Sequence, residues 1–395
     1  MHPGYTAPGA RERAGPFGPC APVVLLLNCK DVASFLHRKL SVQHREGQMR
    51  PVQRRTFLQG TAAATAALGF PYIARSQDKS LVVNSYGGSF EEFMRAEIIP
   101  PFEQQTGITI NLDVGLGKGW LTNLRAAGPD NPPYDVLMTN ETWASIEREE
   151  GFFEPIPADQ VPNMANLWPI ARLPDDNGVI GTLSPVGLCY RTDLVATPPS
   201  AWADLWTNEE FKGNTALYTI TNSAGYMFVL MTARDMFGSE YEVDQAIDKI
   251  KELKPFQQVD FSGTMETVLS RGEAIIGPID FAAGARLKVQ GVQIETIAPE
   301  EGMFMFEQVF SVLKGSTKKE LGYQWIDYIL APETQQKWVR QYYWSPVNKE
   351  VAVPDDLKDL VPISGERMKD IVLWDWKAAN ENRDKVIERW NKEML

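Results

Sequence analysis

Ser80–Ser89 reads Ser-Leu-Val-Val-Asn-Ser-Tyr-Gly-Gly-Ser, and Phe90-Glu91-Glu92-Phe93-Met94 follows directly. Ser80–Tyr86 is a short β-rich run that stops at two glycines. A helical pattern begins at Phe90, and Ser89 with Glu92 has the spacing of a capping box. A strand that passes through a glycine turn into a capped helix opens an α/β layer. The turn also presents unpaired backbone N–H groups at a helix N-terminus, where a carbonyl or an anion can be held.

Working outward, Pro100-Pro101 interrupts the helical pattern and Phe102–Gly107 ends it. Ile108–Val114 alternates apolar and polar residues as a second strand does. Trp120–Ala127 and Trp143–Glu150 read as helices. Between them Tyr134–Met138 (Tyr-Asp-Val-Leu-Met) is a continuous run of the kind buried on both faces of a parallel sheet. The alternation continues toward Leu395, so the fold class is α/β with parallel crossovers.

Upstream, residues 49–76 read as a targeting segment. Gln53-Arg54-Arg55-Thr56-Phe57-Leu58-Gln59 resembles the twin-arginine export motif, and an Ala- and Thr-rich apolar run follows from Gly60 to Phe70. That run is too short for a permanent membrane span. Ala74 and Ser76 are small residues at −3 and −1, so cleavage before Gln77 is expected. Residues 1–48 read as a non-native upstream extension or a disordered stretch. The exported part is therefore expected to be periplasmic and not membrane-spanning.

The chain has 395 residues, a formal net charge of −12 and 11 Trp. Its first 75 residues hold 10 Lys+Arg against 3 Asp+Glu, so the remainder is more acidic than the whole. That balance opposes nucleic acid or an anionic membrane as a partner. All three His lie before residue 48, and only Cys189 falls in the main body. The body thus lacks the commonest general base, and a single thiol forms neither an internal disulfide nor a zinc cluster. No cofactor and no metal are expected.

Several segments in order resemble the extracellular solute-binding proteins of ABC importers of the spermidine/putrescine-binding type, a family that also includes ferric-iron and thiamine binders. They include Tyr86-Gly87-Gly88-Ser89-Phe90, Tyr134-Asp135-Val136, Gly187–Asp193, Pro199–Trp206, Arg271-Gly272-Glu273-Ala274, Leu330–Gln335 and Ser345–Lys349. The resemblance implies a two-lobed, type II Venus-flytrap, each lobe a mixed, mainly parallel sheet flanked by helices. It implies a monomer that closes on a small-molecule solute and hands it to a permease and ATPase complex. The lobes are expected at residues 77–187 with 280–328, and at 188–279 with 329–395.

In that frame the expected ligand-binding residues are Tyr86, Gly88, Ser89, Asn140, Glu141, Trp143, Ser223, Tyr226, Asp280, Phe281, Glu307 and Trp344. Asp280 and Glu307 would meet an amine, and Tyr86, Trp143, Phe281 and Trp344 would form an aromatic box around it. Ser89 and Ser223 open helices whose N-termini would take a carboxylate. Polyamine binders carry carboxylates near the Asn222–Tyr226 segment, where this chain is neutral, so a polyamine and a small zwitterion or anion such as an amino acid or phosphonate both stay open. Tyr342-Tyr343 lies outside the frame position of the iron-binding tyrosine pair, and core packing fits it better. A rival of another class is an exported hydrolase or lyase using two carboxylates, which needs their pKa values driven apart in one pocket.

Overall fold

A computed structural model describes residues 79–394. The leader and the upstream extension lie outside the described residues.

The strands run in chain order as β1 (Ser80–Ser85), β2 (Thr109–Val114), β3 (Val136–Thr139), β4 (Phe153–Glu154), β5 (Val179–Arg191), β6 (Ala216–Tyr218), β7 (Gln257–Val259), β8 (Ile276–Asp280), β9 (Ile294–Ile297) and β10 (Phe304–Leu313). The α-helices are α1 (Ser89–Phe93), α2 (Ile99–Thr106), α3 (Gly117–Ala127), α4 (Glu141–Glu149), α5 (Asp204–Thr207) and α6 (Ser223–Phe237). They continue as α7 (Val243–Lys251), α8 (Ser262–Arg271), α9 (Phe281–Val289), α10 (Lys319–Leu330), α11 (Pro332–Lys337) and α12 (Trp376–Met394).

The order β2-β1-β3-β10-β5-β8 makes the main sheet, with β4 on β10 and β9 on β5. β1 pairs in parallel with β2 and β3, as the α/β reading of the opening stretch expects. β10 is antiparallel to β3 and to β5. A separate parallel pair, β6 and β7, touches β8 through a bridge between Thr215 and Ile276.

β5 ties the molecule together. Its 13 residues extend about 40 Å, and all but Arg191 are buried. Its first half pairs with β10 and its second half with β8 and β9. The apolar core changes along the same strand. Val179, Ile180 and Leu183 belong to one cluster, and Val186, Leu188 and Cys189 to another. The chain passes between the two clusters again from Ile279 to Phe281, around Phe304 and Met305, and from Ile371 to Trp374. Each cluster is the core of one lobe, and these passages are where the lobes join.

Cluster membership assigns two segments differently from the lobe limits expected above. Leu330, Trp338, Trp344, Val347 and Ile371 pack in the first cluster with β1 and β3, whereas Ala283, Leu287 and Ile294 pack in the second. Tyr342-Tyr343-Trp344, expected near the second lobe, accordingly sits against the first.

Two local expectations are also corrected. Pro100-Pro101 does not interrupt the helix, which ends at Gly107 as expected. A π-helical turn over Met94–Ile98 leads into α2, whose first turn carries both prolines. First-turn N–H groups have no intrahelical acceptor, so proline loses nothing there. The Ser89–Glu92 capping box does not form. Gly88 holds the N-cap position of α1 at φ 69° with no side-chain cap, and the Ser89 hydroxyl turns elsewhere.

Candidate functional site

The C-terminal ends of β1, β3, β6 and β8 lead respectively to Tyr86–Ser89, Asn140–Glu141, Thr219–Ser223 and Asp280–Phe281. Open α/β sheets place ligands beyond such strand ends and beside the helix N-termini that follow. Two groups of side chains meet there across the seam between the lobes.

The first is centred on Arg286 of α9. Its Nη2 donates to Glu266 Oε1 of α8 at 2.7 Å, and its guanidinium lies 5.1 Å from the Tyr342 ring centroid. The Tyr342 hydroxyl is 3.1 Å from Ser89 Oγ at the start of α1. Asp280 ends β8 and caps α9, its Oδ2 accepting the Ala283 N–H at 3.1 Å. Burial pushes the Asp280 carboxyl up, and the nearby Arg286 charge and the Ser184 hydroxyl pull it back. Burial also pushes up Glu266, again opposed by Arg286. Among the described residues, Arg286 Nη1 is enclosed and makes no hydrogen bond.

The second group is centred on Arg383 of α12. Its guanidinium lies 4.3 Å from the Trp143 ring centroid and 5.6 Å from that of Tyr226. Its Nη1 donates to the Thr142 carbonyl at 3.1 Å. Nearby, Asn380 Nδ2 donates to Ser145 Oγ at 2.9 Å. A helix of the second cluster is thereby held on α4 of the first.

The expected site residues divide between this seam and the interiors of the lobes. Ser89, Trp143, Tyr226 and Asp280 reach the two groups just described. Ser223 opens α6, but Asn222 caps that helix, accepting the Ala224 N–H at 2.9 Å. The Tyr226 hydroxyl donates to the Ala379 carbonyl, so its ring rather than its oxygen faces Arg383. Phe281 packs with the first cluster and lines a 380 Å³ depression along the seam, beside Lys288, Glu295 and Arg367.

The remaining expected residues are engaged within the first lobe. Tyr86 packs on Trp120 and donates to Asn140 Oδ1 at 3.0 Å. Asn140 Nδ2 in turn donates to the Glu307 carbonyl at 2.6 Å. Glu141 is paired with Arg148 on its own helix. Trp344 is enclosed by Phe90, Trp338 and Tyr342. Glu307, expected to meet an amine, is 1% exposed and lies at the N-terminus of α4. Its Oε1 accepts the Glu141 N–H at 2.7 Å, where unpaired N–H groups favour an acceptor. Burial and the neighbouring Glu141 nonetheless raise its carboxyl to about 8.

Sequence reasoning did not single out Glu266, Arg286 or Arg383, and it read Tyr342 as core. Arg286 is the only charged residue in the opening turns of an otherwise apolar Phe-Ala-Ala-Gly-Ala-Arg-Leu helix, which is a weak signal. Arg383 stands among many charged residues in Trp376–Met394, and nothing in the pattern sets it apart.

Comparison with known proteins agrees with this architecture. The family model for bacterial extracellular solute-binding proteins matches residues 97–363, and that for the twin-arginine translocation signal matches residues 51–71. A gamma-aminobutyric acid-binding protein of Pseudomonas aeruginosa is 24% identical over 324 residues, 78% of this chain and 90% of that one. The putrescine-binding periplasmic protein PotF of Escherichia coli is 21% identical over 369 residues, 84% of this chain and 95% of that one. The crystal structure of an ABC transporter protein from Clostridium perfringens superposes with a TM-score of 0.68 at 25% identity, covering 80% of this chain and all of that one. With the family model spanning most of the chain and an export signal preceding it, this protein belongs to the bacterial extracellular solute-binding proteins and is a periplasmic solute receptor delivered by the twin-arginine route.

Proposed function

We propose that this receptor captures a small zwitterion carrying an ammonium group and an acid, and delivers it to the permease and ATPase of an ABC importer. The observation that carries the reading is the mixed sign of charge at the seam. Asp280 and Glu266 stand with Arg286 in one group of seam side chains, and Arg383 stands in the other. A diamine would find acids for one end beside Arg286, while Arg383, which has no ion pair among the described residues, would repel its other end. A zwitterion finds partners for both its ends. The relatives bearing the names of gamma-aminobutyric acid and putrescine share an ammonium ligand, and the first of these ligands also carries a carboxylate.

In this reading the first lobe comprises residues 79–184 and 298–371, and the second comprises 185–297 and 372–394. The solute enters between them, closure brings α12 onto α4, and the closed monomer docks on the permease. The role is binding without turnover. Glu147 and Glu307, the two carboxyls that burial raises to about 8, serve Thr139 and the α4 N-terminus rather than a shared pocket.

Thermal melting against 4-aminobutyrate, putrescine, acetate and inorganic phosphate tests the proposal. A ligand at 100 times its Kd adds about 2.7 kcal/mol to the folded state. The expected result is stabilisation by 4-aminobutyrate well above that by acetate or phosphate. Stabilisation by putrescine alone would return the site to a polyamine. Steady conversion of a panel member to product would replace the receptor by an enzyme.

A further inference from the structure

We infer that Arg383 holds the anionic end of the solute, taking a carboxylate or phosphonate edge-on between Trp143 and Tyr226. The inference rests on the zwitterion reading above and assigns the acid end of that ligand to one residue. Arg383 lies in α12, beyond the 97–363 region that the family model matches.

Arg383 is 7% exposed. Among the described residues, its guanidinium makes one hydrogen bond, from Nη1 to the Thr142 carbonyl, and no ion pair. By contrast, Arg286 at the seam has Glu266, and Arg389 on the same α12 has Asp244, Asp248 and Glu393. Burial opposes the charge on Arg383, and Tyr226 and Asp384 offset it only in part. A buried cation without a counter-ion costs the folded state several kcal/mol. A ligand that brings the counter-ion recovers that cost on binding.

The orientation fits this role. Trp143 and Tyr226 contact the guanidinium through their rings, an arrangement suited to its flat faces. Its donors point outward along the edge. Nε and Nη2 make no hydrogen bond among the described residues, yet they are not enclosed as Arg286 Nη1 is. Two adjacent N–H groups on one edge match the two oxygens of a carboxylate or phosphonate. Trp143 and Thr142 belong to the first lobe and Tyr226 to the second, so an anion bound here touches both and favours closure.

The test is titration calorimetry on the full chain and its Arg383→Gln variant with 4-aminobutyrate, 2-aminoethylphosphonate and putrescine. Loss of a charge-assisted contact predicts roughly 10- to 100-fold weaker binding of the zwitterions, with putrescine affinity unchanged or raised. The better of the two zwitterions for the wild type distinguishes carboxylate from phosphonate. Arg383→Lys keeps the charge but loses the paired edge, so it should fall between wild type and Arg383→Gln. If Arg383→Gln fails to fold, the lysine variant carries the comparison. Equal weakening of zwitterions and putrescine would overturn the inference and leave Arg383 as a strut between α12 and α4. Unchanged zwitterion affinity would overturn it too, while the functional reading stands. Wild-type binding of putrescine but of neither zwitterion, or of none of the three, would defeat the zwitterion reading and the inference with it.

Discussion

The Arg383 guanidinium stands 4.3 Å from the centroid of the Trp143 ring, joining positions 240 residues apart from two different lobes. A desolvated pair of this kind contributes about 2 kcal/mol. A double-mutant cycle of Trp143→Leu and Arg383→Met should therefore show a coupling energy of about 1–2 kcal/mol in denaturant melts. Strict additivity of the two substitutions would mean that the rings and the guanidinium do not stabilise the folded chain together.

Glu307 gives a pH signature. Its folded carboxyl titrates at about 8, whereas in the unfolded chain it returns to about 4.3. Between those values the folded state holds a proton that the unfolded state has released. Stability is thus greatest below the lower value, falls as pH rises through the window and levels off above the upper one. Glu147, also raised to about 8, acts in the same direction. Glu307→Gln should make the fall in unfolding free energy between about pH 5 and pH 8 shallower, by up to about 1.4 kcal/mol per pH unit. An unchanged slope would show that Glu307 does not carry this proton.

Asp280 is both the N-cap of α9 and an acid beside Arg286, and two substitutions separate these roles. Asn is as good a cap as Asp, whereas Ala loses about 1 kcal/mol. Asp280→Asn should keep the melting temperature close to wild type while weakening 4-aminobutyrate binding about tenfold or more, as expected for loss of a charge-assisted contact. Asp280→Ala should lower both. Wild-type affinity in the Asn variant would remove Asp280 from the solute site and leave it as a cap.

Gly187 sits where β5 leaves the first core for the second. A methyl group added there would run into the Ile297 carbonyl of β9 and press on the Phe281 ring. The β5–β9 pairing surrounds this point, with Leu188 opposite Ile297. Gly187→Ala should destabilise the protein by about 1–3 kcal/mol through overpacking. A melting temperature equal to wild type would show that β9 yields freely at this position.

Much of the architecture was readable along the chain, because its cues are local. The Ser80–Ser85 and Thr109–Val114 strands and the Trp120–Ala127 part of α3 all follow from residue type and spacing. Local cues misled where two local rules competed. Pro100-Pro101 reads as a helix breaker, yet a π turn places both residues in a first turn that tolerates them. Ser89 has the capping spacing, yet its hydroxyl meets Tyr342, 253 positions away.

By itself, then, the sequence determined the export route, the α/β alternation, the family and the lack of His in the exported part. Tertiary structure alone decided which charges face one another. β10 is buried along nearly its whole length, so no alternation marks where the Glu307 side chain goes. Its acceptor role at Glu141 spans 166 positions. Arg383 is one charge among many in α12 until the packing of that helix on α4 lays it against Trp143 and Thr142, 241 positions from the latter. Apolar periodicity and turn cues are short-range properties of a chain, whereas the pairing of a buried charge depends on where distant elements come to rest.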